Sequence, residues 1–336
     1  MQAKNSPASE LDILRRIRTR AAQPPHGGLR LGIGDDCALL RIGPGEDLAV
    51  TTDLAIDGRH FRRAWHPPET IGHRTLARGL SDLAAMGARP IAAFLSFGLP
   101  RDLARGQWVE RFLDGFLALA RAHNVPLAGG DLAESPLAVA DIVLTGAVRR
   151  GRALLRSGAR AGDELYVTGK LGGAAAGLDQ LAAWAEGGAR RLQRGAPRLP
   201  EKLRTQLAAH LAPEPRLAQG QWLARHGVAT AAIDLSDGLS TDLAHLCGES
   251  RVAAAVDAAA LPIGPGANLA QALHGGEDYE LLFTASAAAR VPRRIAGVAV
   301  TRIGRIVRPR KGRPQVTLIG AEGAEPLAAQ GWEHFG

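Results

Sequence analysis

The stretch TIGHRTLARGLSDLAAMGARPIAAFLSF, residues 70 to 97, decides the fold class. Apolar residues recur at helical spacing from Thr70 to Met86, and Gly87 ends the run. The continuous apolar segment Ile91 to Phe97 that follows has the length and bounds of a buried strand. A helix delivered straight into a buried strand predicts layered α/β structure, not a bundle.

The pattern extends in both directions. Upstream, Leu11, Leu14 and Ile17 predict an amphipathic helix over Glu10 to Arg20. Short strands are expected over Leu29 to Ile42 and Leu48 to Asp53, joined by the turn Gly43-Pro44-Gly45. Downstream come a long helix over Leu103 to His123 and strands at Val125 to Leu127 and Ala138 to Val148. A Gly- and Arg-rich stretch, Gly151 to Asp163, marks a change of character and divides the chain into domains 1–150 and 151–336. In the second half, helices are expected at Gly172 to Ala185 and Gly238 to Cys247. Strands are expected at Glu164 to Thr168, Thr230 to Leu235, Val252 to Val256 and Tyr279 to Thr284, with Glu186 to Arg198 as a surface excursion. The fold class is therefore α/β, with α+β character and two domains.

Composition narrows the function. The chain has 336 residues, of which 46% are hydrophobic, enough for a substantial core. Only 4% are aromatic, so aliphatic side chains must fill that core. No apolar run nears the roughly 20 residues that cross a bilayer. The opening MQAKNSPASELDILRRI lacks a signal peptide's apolar segment, so the expected location is cytoplasmic. Cys37 and Cys247 lie too far apart in sequence for a C-x-x-C pair, which argues against a zinc site or a disulfide framework. The net charge is +8. The basic residues are scattered apart from Arg308, Arg310, Lys311 and Arg313, and no aromatic platform interleaves with them. Nucleic acid is therefore not the expected partner.

Five short segments each set a carboxylate among glycines or other small residues: GIGDDCA (32–38), TTD (51–53), LSDLAAMG (80–87), GGD (129–131) and IDLSDG (233–238). Aspartate offers hard oxygen on a short stem, which suits Mg²⁺. Each segment is expected where a strand or helix ends, the usual place for functional loops. Any one of Asp82, Asp131 and Asp237 is equally a helix cap or a turn former. Adjacent Asp35 and Asp36 repel unless solvated or bridged by cations. Five such segments in a basic chain make a pocket with several metal ions plausible. No P-loop is present, since Thr168-Gly169-Lys170-Leu171 lacks the spaced glycine and the Ser/Thr of that motif. Nor is there a complete dinucleotide fingerprint or a protein-kinase motif set.

The ordered set GIGDDCALL, TTDLAIDGRHF, LSDLAAMGA, GRALLRSGA, AIDLSDGLSTDL, GGEDYELLFT and GWEHF resembles the thiamine-monophosphate kinase family. That family belongs to the aminoimidazole ribonucleotide synthetase-like superfamily. The resemblance spans about residues 11 to 336. It implies two α/β domains and a homodimer in which the N-terminal sheets form a central barrel. It also implies ATP-dependent, Mg²⁺-dependent phosphorylation of thiamine monophosphate to thiamine diphosphate. By matched motif, Asp36, Thr51, Thr52, Asp53, Asp82, Asp131, Asp234 and Asp237 would hold several Mg²⁺ ions, with Asp35 less well aligned. Gly130, Arg156 and Ser236 would contact ATP, and His60, Glu277 and Trp332 would shape the thiamine pocket. The chain departs from the family pattern at Leu132 and Ala133, where threonines are expected, at Gly79, where asparagine is expected, and at Arg59.

These roles make chemical sense. A phosphate oxygen attacking the γ-phosphorus is already ionised near neutral pH, so positioning and charge neutralisation carry the reaction without a strong base or a phosphoenzyme. An indole face suits a cationic thiazolium, and a carboxylate can accept from an aminopyrimidine. The competing readings are another superfamily enzyme and a basic, non-catalytic nucleotide- or RNA-binding module.

Overall fold

The structure, a computed structural model, describes residues 10–21, 28–31, 33, 38–104, 106–187 and 199–332. The N-terminal half opens with α1 (Glu10–Ala21), then β1 (Leu29–Leu31), β2 (Leu39–Leu40), β3 (Glu46–Ile56), α2 (Pro68–Ala85) and β4 (Arg89–Leu99). It continues with α3 (Arg101–Ala104), α4 (Trp108–Ala122), β5 (Leu127–Glu134) and β6 (Val139–Arg149). The C-terminal half runs β7 (Glu164–Thr168), α5 (Gly173–Gly187), α6 (Glu201–Gln206), α7 (Ala208–Leu211), α8 (Leu217–His226), β8 (Ala229–Asp234) and α9 (Leu239–Ser250). It ends with β9 (Ala253–Asp257), α10 (Leu269–His274), β10 (Leu281–Ala285), β11 (Arg294–Ile295), β12 (Val298–Val307), β13 (Val316–Gly320) and β14 (Gly323–Pro326).

Each half is built on one sheet. The N-terminal sheet has the order β3-β6-β4-β5, with β4 and β5 parallel and the other pairs antiparallel. The C-terminal sheet runs β14-β13-β9-β12-β7-β10-β8, with β11 paired to β12. Both are covered by helices, so the α/β layering expected from residues 70 to 97 is what forms.

Three expectations are corrected. The long helix over Leu103 to His123 is two helices, α3 and α4, with the poor helix former Gly106 between them. The GGD segment is not a loop but the middle of β5, and TTD is likewise the middle of β3. Glycine permits the β5 arrangement: Gly130 has φ +151°, and a Cβ there would stand 1.9 Å from the Leu95 carbonyl oxygen on β4. Of the surface excursion over Glu186 to Arg198, residues 188–198 lie outside the described residues.

Helix α2 is the hub. Nearly its whole circumference is buried, because β3, β4, β6 and α4 surround it on one side and α8 and β8 of the other half on the rest. Glycines set these crossings. A Cβ on Gly72 would sit 2.0 Å from the Phe112 carbonyl oxygen of α4, and one on Gly115 of α4 would sit 1.7 Å from the Glu69 oxygen. A Cβ on Gly220 of α8 would come 1.9 Å from the Ala84 oxygen. Gly79, the departure from the family pattern, faces the sheet: its Cβ would lie 2.5 Å from Leu144 Cδ1, leaving no room for an asparagine without repacking.

Helix propensity favours alanine over glycine by about 1 kcal/mol, whereas backbone overpacking costs about 1–3 kcal/mol or more. At Gly115 the collision is with main chain, so packing wins. Gly115→Ala is expected to destabilise the fold by about 2 kcal/mol or more in denaturant titration. Gly248→Ala on α9, whose nearest neighbour is 3.9 Å away, is expected to be neutral or to stabilise by up to about 1 kcal/mol.

Candidate active site

Four polar side chains of α2, Arg74, Arg78, Ser81 and Asp82, recur at intervals of three to four residues and share one stripe of the helix. The stripe faces the seam between the two halves. Arg78 forks onto Asp53 of β3, Nε to Oδ2 at 2.9 Å and Nη2 to Oδ1 at 2.8 Å. Asp82 accepts from the Thr51 hydroxyl, and Ser81 donates to Asp234 at the end of β8 at 2.7 Å. Arg74 reaches Glu277 in the segment before β10 at 2.5 Å.

A cavity of about 640 Å³ opens along this seam, a size suited to a small-molecule site. Its floor is acidic, formed by Asp53, Asp82, Asp234 and Asp237. Its wall is aromatic and apolar, with His60, Phe61, Trp65, Leu178 and Trp332. Burial, and then repulsion from Asp234, push the Asp82 carboxyl up to about 7. Burial likewise raises Asp234, while the Ser81 hydroxyl and the Arg156 charge pull the other way.

The loop after β8 is held by Asp242, which accepts from the main-chain N–H groups of Asp237 and Gly238 at 3.1 and 3.0 Å. Burial and the neighbouring Asp234 and Asp237 raise its carboxyl to about 8. Across the cavity, Glu277 and Tyr279 have φ +67° and +50°, unfavourable for side-chain-bearing residues. Main-chain bonds from Glu277 to Ser236 (2.7 Å) and from Tyr279 to Leu235 (2.9 Å) hold them there. Asp278, between them, caps the start of α5 by accepting from Gly172 and Ala174, and burial raises it to about 7. The C-terminal segment crosses the start of α9: Gly331 donates to the Thr241 hydroxyl and Trp332 to the Asp237 carbonyl, which sets the indole at the rim.

The structure thus brings Asp53, Asp82, Asp234, Asp237, Ser236, His60, Glu277 and Trp332 to one cavity, with Thr51 bonded to Asp82 behind it. Arg156 is exposed on the connection between the halves, near enough for its charge to act on Asp82 and Asp234. Thr52 and Asp131 are not brought there. Strand alternation turns Thr52 to the face of β3 away from Thr51 and Asp53. Asp131 pairs through Ser96 to Asp141 and Leu54, on that same outer face. It stands on β5, three strand spacings or about 14 Å from β3. Gly130 lies on that far edge too, and Leu132 packs against the main core. Asp35 and Asp36 lie outside the described residues.

Sequence reading missed Arg74 and Arg78, although their spacing within an expected helix was a usable signal. It also missed His66 and His210, which meet although 144 positions apart in sequence and leave no local trace. Cys247 is buried, its thiol pushed up to about 12, and takes no part in the site. Among the described residues, no helix is long and apolar enough to cross a membrane. Also among them, no three His, Cys, Asp or Glu side chains close around a point suited to a metal ion.

Comparison with known proteins agrees with this architecture. Residues 34–148 match the family AIR synthase related protein, N-terminal domain, and residues 160–317 match AIR synthase related protein, C-terminal domain. The thiamine-monophosphate kinase of Escherichia coli K12 is 39% identical over 321 residues, covering 91% of this chain and 92% of its own. The crystal structure of thiamine-monophosphate kinase from Stenotrophomonas maltophilia K279a is 38% identical, with a TM-score of 0.76 over 93% of this chain and 97% of that one. A further relative, solved in complex with AMPPCP and TMP, is 28% identical with a TM-score of 0.74, covering 100% of this chain and 99% of its own. An identity of this size, sustained over nine-tenths of both chains and joined to the same two-domain fold, places the chain in the thiamine-monophosphate kinase family.

Proposed function

We propose that this chain phosphorylates thiamine monophosphate with ATP by direct in-line transfer in a Mg²⁺-dependent reaction. An oxygen of the acceptor's phosphate forms the new bond to the γ-phosphorus, the bond to the β–γ bridging oxygen breaks, and ADP leaves with that electron pair. The observation that carries this reading is the single cavity with an acidic floor and an aromatic wall. The family relation supports it, as does the relative that holds AMPPCP and TMP together.

The donor set fits Mg²⁺. Asp82 and Asp234 are hard oxygen ligands crowded enough to repel each other, and Mg²⁺ binds through one or two carboxylates completed by phosphate oxygens and water, not by an all-protein cage. When bound, the metal would supply positive charge to offset the negative charge of the phosphates. Asp53, Asp82, Asp234 and Asp237 are the ligands facing the cavity, and the family resemblance adds Asp36 and Thr51. Arg156 and Ser236 bind nucleotide phosphate oxygens. Trp332 and His60 flank the cationic thiazolium, and Glu277 accepts from the aminopyrimidine. The boundary between the two domains falls at residues 150/151.

The chain acts as a homodimer through the outer face of the N-terminal sheet. Leu48, Val50 and Leu54 project from its edge strand β3 at 47%, 58% and 43% exposure, an apolar row that a lone subunit leaves in water. Thr52 and Asp131 share that face, so the metal roles the resemblance gives them would fall on the dimer-facing side, whereas Gly130 is in register with core-facing Leu95.

Purified protein given ATP, Mg²⁺ and thiamine monophosphate is expected to yield ADP and thiamine diphosphate, with no labelled protein after quenching. Turnover of an aminoimidazole precursor instead would favour a different member of the superfamily. Asp82→Asn is expected to cut kcat at least about a hundredfold while leaving Tm equal or higher, because it removes a raised, repelled carboxylate; wild-type turnover would refute its role.

The pH dependence follows with a definite sign. Asp82, Asp278 and Asp242, at about 7, 7 and 8, keep protons in the fold that the unfolded chain has already lost. Their contribution is present at low pH and is lost as pH rises through those values. His66 and His210, depressed in the fold, act oppositely, but only below about pH 6.5. Metal-free protein is therefore expected to lose Tm between about pH 6.5 and 8.5. Mg²⁺, competing with those protons, raises Tm more at the upper end. Equal Tm at both pH values, with and without Mg²⁺, would contradict this. In sedimentation the chain is expected at twice its 35.2 kDa mass, and Leu48→Lys combined with Val50→Lys at the single-chain mass.

A further inference from the structure

Beside Glu277 lies a cluster to which the reading above gives no substrate contact. Arg74 is buried at 5% exposure, and its Nη2 meets both carboxylate oxygens of Glu277 at 2.5 Å. Its Nη1 points the other way, 2.8 Å from His210 Nε2 and 3.1 Å from His66 Nε2, and the two imidazole nitrogens stand 2.9 Å apart. Both histidines are buried at 2%. Burial and then the Arg74 charge hold both neutral, His66 at about 3 and His210 well below its ordinary value.

The bonding determines where the protons sit. His66 can accept at Nδ1 from the Arg62 main-chain N–H, or donate there to the Arg62 carbonyl, both at 3.2 Å. When His66 accepts at Nδ1, its Nε2 proton is donated to His210 Nε2, which also accepts from Arg74, so the His210 proton is on Nδ1. That Nδ1 has no hydrogen-bond partner and lies 3.8 Å from Glu277 Oε2. Guanidinium and imidazole N–H therefore both face the same carboxylate. His210 accepts at the guanidinium's rear edge, His66 bonds to His210 from behind, and neither competes for Glu277.

An exposure gradient separates this unit from a purely structural ion pair. Side-chain exposure is 1% at His210, 6% at Arg74 and 26% at Glu277. Arg74 and His210 are almost closed off from solvent, and the carboxylate is the most open of the three, although His66 and His210 also contribute to the cavity wall. The supporting parts come from two distant stretches, residues 66–74 entering α2 and α7.

We propose that His66, Arg74 and His210 are positioning residues that aim the Glu277 carboxylate at the ring end of the phosphate acceptor, so that recognition of the acceptor, and not handling of the nucleotide, depends on them. This rests on the reading of Glu277 as acceptor-facing. The Glu277 backbone is fixed by its bond to the Ser236 carbonyl, but the side-chain torsions of a glutamate are not, and an external partner selects one direction. A forked cation in front of a second fixed donor provides it.

The test is a double-mutant cycle on the full chain, with steady-state kinetics in thiamine monophosphate and, separately, in Mg²⁺-ATP. Arg74→Gln is expected to raise KM for the acceptor about tenfold or more, with kcat within about threefold and KM for ATP unmoved. Arg74→Lys, which keeps the charge without the fork, should recover part of that loss. In a Glu277→Gln background, adding Arg74→Gln should change the acceptor KM by less than about twofold, because the clamp then has nothing to aim. If both KM values move together, or if the Arg74→Gln effect persists undiminished in the Glu277→Gln background, the cluster is structural and the proposal falls. Should Arg74→Gln not fold, His210→Leu gives the same readout, with about a threefold rise in acceptor KM expected and none overturning the idea. Wild-type protein inactive on thiamine monophosphate would instead overturn the proposed function, so the two failures are distinguishable.

Discussion

Helix α2 has almost no side turned to water, yet it carries Arg74, Arg78, Ser81 and Asp82. Buried polar groups are tolerated only when each meets a partner, and here the partners come from three other segments: Thr51 and Asp53 on β3, Asp234 at the end of β8, and Glu277 before β10. Packing this one helix therefore obliges β3, the end of β8 and the turn before β10 to converge. The cavity is the space left where those obligations are met. Its chemistry is in that sense a by-product of how the core closes, with Gly72, Gly79, Gly115 and Gly220 allowing the close approach.

A chain with net charge +8 devotes its seam to carboxylates. The basic excess is largely peripheral, while Asp234 and Asp242 are at 3% and 2% exposure. Burial raises both, so this concentration of acid works against stability and is more readily understood as provision for cations than as a structural device. Arg78 tempers it by pairing with Asp53, and Arg156 by acting at longer range on Asp82 and Asp234. The aromatic wall is the complement: Trp65, Trp332 and His60 offer flat, polarisable faces opposite the charged floor.

Much of this was legible in the residues. The run from Thr70 to Phe97 gave helix and strand within two residues of their observed ends, because its periodicity is strong and Gly87, at φ +68°, supplies a clean stop. The acidic motifs pointed to a shared site, and four of their aspartates line one cavity. What could not be read was which face of the sheet each residue takes. Thr52 and Asp131 sit beside ligand-like neighbours in sequence, but pleat alternation and a register shift at Ala128 in β5 turn them outward. The His66–His210 contact was likewise invisible, since it depends on α7, a four-residue helix with no period of its own.

The crossing of α2 with α8 bears on how the molecule moves. With the Gly220 main chain seated against Ala84 and Leu154 bonded to the Met86 carbonyl at 3.1 Å, the seam lacks the slack of a hinge. Opening the halves like jaws would strip the most deeply buried helix of its neighbours, a cost comparable with unfolding it. Ligands must then come and go past the rim formed by the segment 58–62, which is pinned to the core through Phe61, and the strap bearing Trp332. The kinetics of exchange thus belong to the gatepost loops, and the two sheets behave as a rigid anvil between them.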